Sequence, residues 1–392
     1  MNYILFDGAS RIHLLPFTFT RPVADIRVGI LSLRQKWEHF LGASTSTLTQ
    51  TYLNKKFPLR VEQDNVLINA SVFPNAEMAR QIKNLKPGEA LVHDDVLIAM
   101  GMHASEIEHF SEQTPTGIAI EGSFKQLKHV WDIYALNHEA IEEDFEWLTR
   151  ERKSEPLSPT NFIQGNPELI FIEPGAKVEF AFLNTHDGPI YIGKEAIVME
   201  GAKIRGPFAL GDHAQIKMDA KIYGGTTVGP YSKVGGEVSN SVIFGYSNKG
   251  HDGFLGNSVL GEWCNLGADT NISNLKNTYE PVKLWSYAEQ HFVQTGQQFC
   301  GLMMGDHSKC GINTMFNTGT VVGVNANIFG DGYQRNFIPS FSWGGRNKLT
   351  HYQLKKAYQV AAAVFARRNK VFDTIEEDIL AHIYELTFDS RR

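Results

Sequence analysis

The sequence predicts an α/β domain, followed by a coil of short β-strands and by C-terminal helices. Three observations predict this fold class. Residues 1–150 alternate strand-like apolar runs with helical segments, and two amphipathic stripes follow residue 349. With 392 residues, 42% of them hydrophobic, the chain can form two cores. Between these parts, aliphatic residues recur at every sixth position, at Ile192, Val198, Ile204, Leu210, Ile216, Ile222, Val228 and Val234.

The N-terminal part predicts a parallel, Rossmann-like α/β sheet. The segments "NYILF", "NVLIN" and "EALVH" have the composition of strands, whereas "RVGILSLRQKWEHFL" and "AEMARQIKNL" have helical periodicity. Strands that alternate with helices are typical of parallel sheets. The polar, proline-bearing segment 151–161 is a plausible linker. We therefore expect a first domain over residues 1–155.

The six-residue repeat predicts the coil. A period of two is typical of an ordinary strand and a period of 3.6 of a helix. A period of six, with small residues four positions after each aliphatic, predicts stacked short strands whose aliphatic side chains point inward. The repeat returns at Leu260 and runs on to Ile328, which gives a coil domain over residues 156–345. The segment "NKGHDGFLGNSVLG", 248–261, interrupts it and predicts an extruded loop around His251.

The C-terminal residues 346–392 are predicted to form packing helices. The strings "THYQ" at Thr350 and "DTIE" at Asp373 look like capping boxes, which begin helices. Each is followed by an apolar stripe at helical spacing.

Composition limits the function classes. A net charge of −6 argues against a nucleic-acid partner. No apolar run reaches the roughly 18 residues that span a bilayer, and the N-terminus has no basic leader, so we expect a cytoplasmic protein without a membrane partner. The three cysteines lack C-x-x-C spacing, which predicts small buried hydrophobic residues rather than zinc ligands.

A glycine- and asparagine-rich motif lies at the interruption of the repeat. The string "KGHDGFLGNSVLGEWCNLGADTNISN", 249–274, resembles the acetyltransferase site of the hexapeptide-repeat enzymes that acetylate glucosamine-1-phosphate and then join it to uridine diphosphate. The resemblance implies a left-handed β-helix, acetyl-CoA as co-substrate and a homotrimer. The matching residues are Gly250, His251, Phe254, Gly256, Leu260, Gly261, Asn265, Leu266, Gly267, Ala268 and Asn274.

His251 is the predicted general base. Acetyl transfer to an amine requires removal of the ammonium proton, and a histidine titrates in the right range. The resemblance implies that Asn265 and Asn274 hold the sugar, that Phe254 forms a pocket wall and that the Ala268 backbone meets the thioester.

Phosphate recognition is less clear from the sequence. The family's upstream basic residues have no clear equivalent, because Ser239 and Asn240 stand in that region. Lys249 is the candidate substitute for binding the sugar phosphate. Arg346, just before the C-terminal helices, is a candidate for the phosphate of the coenzyme.

The first domain carries a second resemblance. The string "LFDGASRIHLLPFTFTRPVADIRVG" resembles the opening of sugar nucleotidyltransferases, with Pro16, Thr18 and Pro22 in phase. The strings "TRPVADIRVGIL" and "WDIYALNHEAIEEDF", 131–145, resemble those of Bacteroidetes-type bifunctional proteins, so this resemblance covers nearly the whole chain. This implies sugar phosphate and nucleotide substrates, and uridylyl transfer from UTP with Mg²⁺ to give UDP-N-acetylglucosamine.

Nucleotidyl transfer needs close backbone approach, cations and metal-binding carboxylates. Gly8 permits the approach, Arg21 and Arg27 offer positive charge, and Asp7 and Asp25 are the candidate magnesium ligands. An alternative role for the two arginines is a structural one. The family's lysine after the proline is replaced by Val23.

Two other functions remain open from the sequence. The protein could be a nucleotidyltransferase whose coil is only a trimerising scaffold, although a scaffold needs no histidine and asparagines at fixed offsets. It could also be a sugar- or nucleotide-sensing protein with decayed sites. The leading hypothesis is a bifunctional enzyme of amino-sugar nucleotide synthesis.

Overall fold

The computed structural model describes residues 1–112, 117–120 and 124–391 and divides into two compact units. The first contains Met1–Ile26 and Leu31–Val130, and the second contains Arg27–Ile30 and Trp131–Arg392. The predicted domain limits at residues 155 and 345 stay predictions.

The first unit contains a six-stranded sheet. Its order is β2-β1-β3-β5-β4-β6, with parallel pairs β1–β2, β1–β3 and β4–β6. The strands are β1 Asn2–Phe6, β2 Thr45–Leu48, β3 Asp64–Asn69, β4 Ala90–His93, β5 Val96–His103 and β6 Ile118–Ala119.

The expectation of an all-parallel sheet is wrong for two of the five strand pairings. Strand β5 is antiparallel to both β3 and β4. Only Asp94 and Asp95 connect β4 to β5, and so short a connection forms a hairpin because a parallel crossover needs a dozen or more residues. The α/β character of the unit is confirmed.

Three helices accompany this sheet: α1 Ser10–His13, α2 Leu33–Leu41 and α3 Ala76–Lys83. Helix α2 begins later than "RVGILSLRQKWEHFL" predicts. Ser32 and Gln35 form a capping box, which fixes the start at Leu33. The preceding Arg27–Ile30 segment belongs to the other unit.

The second unit contains the predicted parallel coil, whose strands form three faces. Face 1 comprises Ile170–Ile172, Ile190–Ile192, Phe208–Leu210, Thr226–Val228, Val242–Gly245, Val259–Glu262, Leu302–Met304, Thr320–Val322 and Phe337–Ile338. Face 2 comprises Phe162–Gln164, Phe182–Asn184, Lys203–Arg205, Lys221–Ile222, Glu237–Ser239 and Phe254–Gly256. Face 3 comprises Lys177–Val178, Ile197–Val198, Gln215–Ile216, Lys233–Val234 and Asn248–Lys249.

Later turns of the coil have shorter pairings. Asn271–Ile272 pairs with Met315–Phe316, and a four-stranded sheet contains Lys309–Cys310, Asn327–Ile328, Ser342–Gly344 and Leu349–His351. Isolated bridges join Asn265 to Asn248 and to Lys309, which continues face 3.

The aliphatic repeat forms the core of the coil, as predicted. All eight residues from Ile192 to Val234 are buried in one hydrophobic cluster, together with the later members from Leu260 to Ile328. The cysteines Cys264, Cys300 and Cys310 are free and buried, as expected for small hydrophobic residues.

Residues 248–261 do not form the extruded loop that the sequence predicts. This segment stays in the coil and forms strands on all three faces. The repeat is interrupted because the turns shorten: Leu210 pairs with Val228, a step of 18 residues, but Val228 pairs with Ile243, a step of 15. The extruded segment lies later, between Asn271–Ile272 and Leu302–Met304, and contains the hairpin Lys283–Ser286 and His291–Gln294.

Four helices belong to the second unit: α4 Asp132–Ala135, α5 Asn137–Thr149, α6 Leu354–Ala366 and α7 Thr374–Leu386. Asp373 caps α7 by accepting from two backbone amides, as predicted. The capping box at Thr350 is wrong, since Thr350 lies in the strand Leu349–His351 and α6 follows Gln353 without a side-chain cap. Within the described residues, no helix is long and apolar enough to cross a membrane.

Candidate functional site

A cavity of about 550 Å³ lies between face 3 of the coil and helix α6. We call it the His251 cavity. His251 lines it from the corner that follows the strand Asn248–Lys249, and its side chain is exposed. Its other lining residues include Asn265, Gly267 and Ala268, and Val364 lines it from α6.

The backbone at His251 is held by a buried lysine. The ammonium of Lys249 donates to the carbonyl oxygens of His251, at 2.7 Å, and of Gly235, at 2.9 Å. Lys249 pairs in register with the core residue Val234, and its side chain is buried. Burial lowers the pKa of Lys249 to about 8. The lysine therefore fixes the loop instead of lining the cavity, and its predicted role in phosphate binding stays a prediction.

Two of the predicted substrate and coenzyme residues lie beside His251. Asn265 and Ala268 line the cavity, on either side of Leu266 and Gly267. A Cβ atom on Gly267 would lie 2.4 Å from the backbone of Gly311, so the close stacking of these two turns requires glycine. This stacking fixes the position of the backbone that leads into Ala268.

Two other predicted residues are engaged elsewhere. The backbone N–H of Phe254 donates to Oδ1 of Asn271 at 2.9 Å, and Nδ2 of Asn274 donates to Oδ1 of Asn257 at 2.8 Å. Neither Phe254 nor Asn274 is among the residues that line the His251 cavity. Their roles toward the sugar stay predictions.

Five cationic side chains also line the cavity, and all of them except Lys309 lie outside the part of the coil between the motif 249–274 and α6. They come from the coil and from the end of α6. Among the described residues none of the five forms an ion pair with a carboxylate. They are Lys217, Lys233, Lys309, Arg367 and Arg368.

The hydrogen bonds of these cations leave most of their donors unused. Nζ of Lys309 donates to the His307 carbonyl at 2.8 Å, and Nη2 of Arg368 donates to Oδ1 of Asn248 at 3.3 Å. Lys217 donates to Gln215 at 3.1 Å. The unused donors make the cavity suited to an anion.

The pKa values of three of these cations are lowered, by burial and, for two of them, by neighbouring positive charges. Burial lowers the pKa of Lys309 to about 8. The pKa of Lys233 is lowered by burial and then by the nearby Arg368, Lys217 and Arg367. Burial and the charge of Arg367 lower the pKa of Arg368. Each shift disfavours the charged form, and a bound phosphate would oppose it.

The coil cations were not predicted because the family's upstream basic residues were sought around Ser239 and Asn240. In the structure, Lys233 pairs with Gln215 after a step of 18 residues and with Asn248 after a step of 15, so it lies one turn from the strand that leads into the histidine loop. The helix arginines belong to the basic string "ARRNK", 366–370, and the sequence alone does not show that this string meets the coil.

A column of stacked aromatic rings fixes α6 to the coil. Phe365 stacks on Trp263 with ring centroids 4.0 Å apart, and Trp263 stacks on Tyr246 at 4.3 Å. Tyr246 stacks in turn on Tyr231 at 5.0 Å. Lys370 lies over the Tyr246 ring at 5.2 Å. This packing orients the arginines at the end of α6 toward the cavity.

Arg346 lies in a different cavity. That cavity has a volume of about 820 Å³, and Arg346 lines it together with Lys276, Asn317, Tyr333 and Gln334. Arg346 does not line the His251 cavity. Its predicted contact with the coenzyme phosphate stays a prediction.

In the first unit, a carboxylate occupies the loop predicted to approach phosphate. The Ala9 N–H donates to Oε2 of Glu112 at 2.6 Å, and a Cβ atom on Gly8 would lie 2.4 Å from Oε1 of the same residue. Burial raises the pKa of Glu112. The loop therefore holds an anionic group at the amide that would meet a phosphate.

The two candidate magnesium ligands are paired with arginines. Asp7 accepts from Arg11 at 2.7 Å, from Val23 N–H at 2.7 Å and from the Thr49 hydroxyl. The two carboxylate oxygens of Asp25 accept from Nε and Nη2 of Arg34, at 2.9 and 2.7 Å. With their oxygens used in this way, these carboxylates do not fit a divalent cation. In the described part of the chain, no group of three or more histidine, cysteine, aspartate or glutamate residues could hold a metal.

The two candidate phosphate-binding arginines lie apart. Arg21 is buried in the first unit, where its carbonyl accepts from Arg11. Arg27 belongs to the second unit, where its Nε donates to the Phe244 carbonyl at 3.2 Å and its Nη1 to Ile30. The contacts of Arg27 are those of a structural residue, and phosphate binding by either stays a prediction.

Comparison with known proteins adds to this geometry. The family model described as "Sugar nucleotidyl transferase" matches residues 3–153. The chain is 35% identical over 89 residues to "Bifunctional protein GlmU" of Methanocaldococcus jannaschii, which covers 23% of this chain and 21% of the relative. It is 33% identical over 93 residues to the "Bifunctional sugar-1-phosphate nucleotidylyltransferase/acetyltransferase" of Sulfurisphaera tokodaii, covering 24% and 23%.

A longer match comes from Escherichia coli O6:K15:H31. Its "Uncharacterized acetyltransferase YaiX" is 30% identical over 203 residues, which span 50% of this chain and 87% of the relative. The chain belongs to the same family as this acetyltransferase, and its residues 3–153 match the sugar nucleotidyltransferase model. The matches span only about a fifth to a quarter of the first relatives' lengths. The resemblance to Bacteroidetes-type bifunctional proteins stays a prediction.

Proposed function

We propose that the coil transfers the acetyl group of acetyl-CoA to the amino group of glucosamine-1-phosphate, with His251 as the general base. The observation that carries this proposal is the His251 cavity, in which a histidine, the Gly267-Ala268 backbone and five cations surround about 550 Å³. Family membership and the motif 249–274 support it.

The residues of the cavity have separate chemical tasks. The His251 imidazole removes a proton from the substrate ammonium, so that the nitrogen can attack the thioester carbonyl. The new carbon–nitrogen bond forms, the carbon–sulfur bond breaks, and the thiolate leaves and takes up a proton. The backbone N–H of Ala268 stabilises the negative charge that develops on the carbonyl oxygen.

In this proposal the coil cations bind the sugar phosphate in place of the family's upstream basic residues. Lys217 and Lys233 lie on the same face as the histidine loop and hold the sugar phosphate in this proposal. Charge-assisted hydrogen bonds of this kind fix the position of a ligand as well as its affinity. Asn265 then orients the sugar.

We propose uridylyl transfer from UTP to N-acetylglucosamine-1-phosphate as the activity of the first unit. The family match over residues 3–153 supports this. In this proposal Asp7 and Asp25 do not bind magnesium, because both are paired with arginines.

A specific observation favours a second candidate for the first unit. The Glu112 carboxylate at the Ala9 amide, together with the paired aspartates, suits a nucleotide-sensing unit without turnover. Tight UTP binding without pyrophosphate release would identify it.

The experiment is a paired assay on the purified protein. One arm measures free thiol released from acetyl-CoA with glucosamine-1-phosphate. The other measures pyrophosphate released from UTP with N-acetylglucosamine-1-phosphate. Both signals support the bifunctional enzyme, thiol alone supports a sensor in front of an acetyltransferase, and pyrophosphate alone contradicts the role of His251 and makes the coil a scaffold.

We also propose a homotrimer. Face 2 exposes stacked aromatic side chains on its first two strands, with the rings of Phe162 and Phe182 centred 4.9 Å apart. Their exposed fractions are 63% and 46%. Exposed aromatic clusters of this kind are typical of contacts between protein chains.

A further inference from the structure

The wall of the His251 cavity opposite the coil is formed by helix α6 of the same chain. Val364 lines the cavity from α6, and Arg367 and Arg368 line it from the two positions that follow the helix. The stacking of Phe365 on Trp263 holds this wall in place. The cavity is therefore enclosed by two elements of one chain.

The two arginines bring positive charge to the cavity. Neither forms an ion pair with a carboxylate in the described part of the chain. The partial negative charge at the C-terminal end of α6 favours cations there, but it is only about half an elementary charge. Lys233 and Lys309 face the same space and add to the repulsion.

Repulsion of this kind is relieved by an anion that bridges the two walls. Arginine has a planar fork of donors that matches phosphate oxygens, whereas lysine binds phosphate as a point charge. Coil lysines on one side and helix arginines on the other therefore provide donors from opposite directions. Nη2 of Arg368 reaches Asn248 at 3.3 Å, which keeps the guanidinium at the edge of the cavity.

We propose that Arg367 and Arg368 form a phosphate-binding wall of the His251 cavity, which binds a phosphate group of a substrate against the lysines of the coil. The inference rests on the proposed function in naming the His251 cavity as the place of acetyl transfer. Glucosamine-1-phosphate and coenzyme A both carry the required phosphate group.

The test is calorimetric titration of the full-length protein with three separate probes: inorganic phosphate, glucosamine-1-phosphate and coenzyme A. The variant is Arg367→Gln combined with Arg368→Gln. The matched control is Lys355→Gln combined with Lys356→Gln, which removes two exposed charges from the start of the same helix.

We expect the arginine pair variant to weaken binding of at least one probe by about tenfold or more, because charge-assisted hydrogen bonds are lost. The control should change each Kd by less than about twofold. Weakening for coenzyme A alone assigns the wall to the coenzyme phosphates, and weakening for the sugar phosphate alone assigns it to the acceptor. Unchanged Kd values for all three probes would overturn the proposal.

Two further measurements separate folding and function from this inference. If the double variant melts at a lower temperature than the control, the titrations are repeated with the single Arg367→Gln variant. We expect this variant to weaken binding by at least about threefold. If phosphate binding depends on the arginines but no acetyl transfer occurs, the proposed function fails and the wall stands. If transfer and binding are unchanged in the arginine variant, the wall fails and the proposed function stands.

Discussion

The ammonium of Lys249 donates a hydrogen bond to the backbone carbonyl of His251 at 2.7 Å, from a position in the coil where the paired residue is Val234. A buried lysine thus replaces a core aliphatic directly beside the candidate catalytic loop. The hydrogen bond links the rigid interior of the coil to the corner that carries the imidazole.

The first prediction concerns this link. Lys249→Met should lower kcat for acetyl transfer by about tenfold or more with little change in KM, because small displacements of a reacting group are costly. The free energy of unfolding should change by no more than about 1 kcal/mol, since new apolar packing offsets the lost hydrogen bonds.

Lys217→Met provides the matched control, because it removes a lysine that lines the cavity. We expect it to raise KM for the sugar phosphate more than it lowers kcat. Steady-state kinetics of both variants checks this contrast, and an unchanged kcat in Lys249→Met would remove the positioning role.

The second prediction concerns the nucleotide loop. Glu112→Gln should strengthen UTP binding by about threefold to tenfold, because the Ala9 amide would no longer hold a charged carboxylate. Fluorescence or calorimetric titration measures the change. Glu108→Gln, which removes an exposed carboxylate from a nearby turn, should have no effect. Equal affinities in all three proteins would contradict a nucleotide site at Gly8.

The third prediction is a pH dependence of stability at Lys309. Burial lowers its folded pKa to about 8, from an ordinary value of 10.5. Between these values the unfolded chain binds more protons than the folded one, so the free energy of unfolding rises with pH. Below about pH 8 both states are charged and the burial cost is fully present.

In Lys309→Met no charged group is buried at this position, and the rise in the free energy of unfolding with pH is absent. The variant should therefore be the more stable protein at pH 7, and its advantage should shrink by up to about 3 kcal/mol as the pH rises toward 10.5. Chemical denaturation of both proteins at several pH values checks the trend. A stability difference that does not depend on pH would show that the lysine is not strained by burial.

The fourth prediction concerns assembly. Replacing Phe162 and Phe182 by serine should reduce the mass in solution from that of a trimer to that of a monomer, because the exposed apolar surface of face 2 is lost. Phe292→Ser, at an exposed position on the hairpin, is the control. Light scattering after size exclusion gives the mass. A trimer that survives the double substitution would place the interface elsewhere.

Much of the coil could be predicted because its cause is local. Each inward aliphatic from Ile192 to Val234 is buried because every sixth side chain of such a coil points inward. Asp373 was identified as a cap for the same reason, since its partners are only two and three residues away. Patterns of this range can be read directly from a sequence.

The cationic cavity could not be predicted, since its parts meet only in three dimensions. Lys233 lies one turn of the coil before the histidine loop, paired with Asn248, and the motif 249–274 contains no signal that marks it as a cation of the cavity. Arg367 and Arg368 reach it because Phe365 packs on Trp263 about a hundred residues away in sequence. The antiparallel hairpin β4–β5 was not predicted because the composition of a strand does not determine its direction in the sheet.

The most direct test of the account is acetyl transfer by His251→Ala. Free thiol from acetyl-CoA and glucosamine-1-phosphate is measured beside a His291→Ala control, which changes an exposed histidine of the hairpin. The account predicts that His251→Ala lowers kcat by about a hundredfold or more, as expected for loss of a general base, with coenzyme A binding retained, while the control stays active. Unchanged acetyl transfer in a folded His251→Ala protein would contradict the central claim.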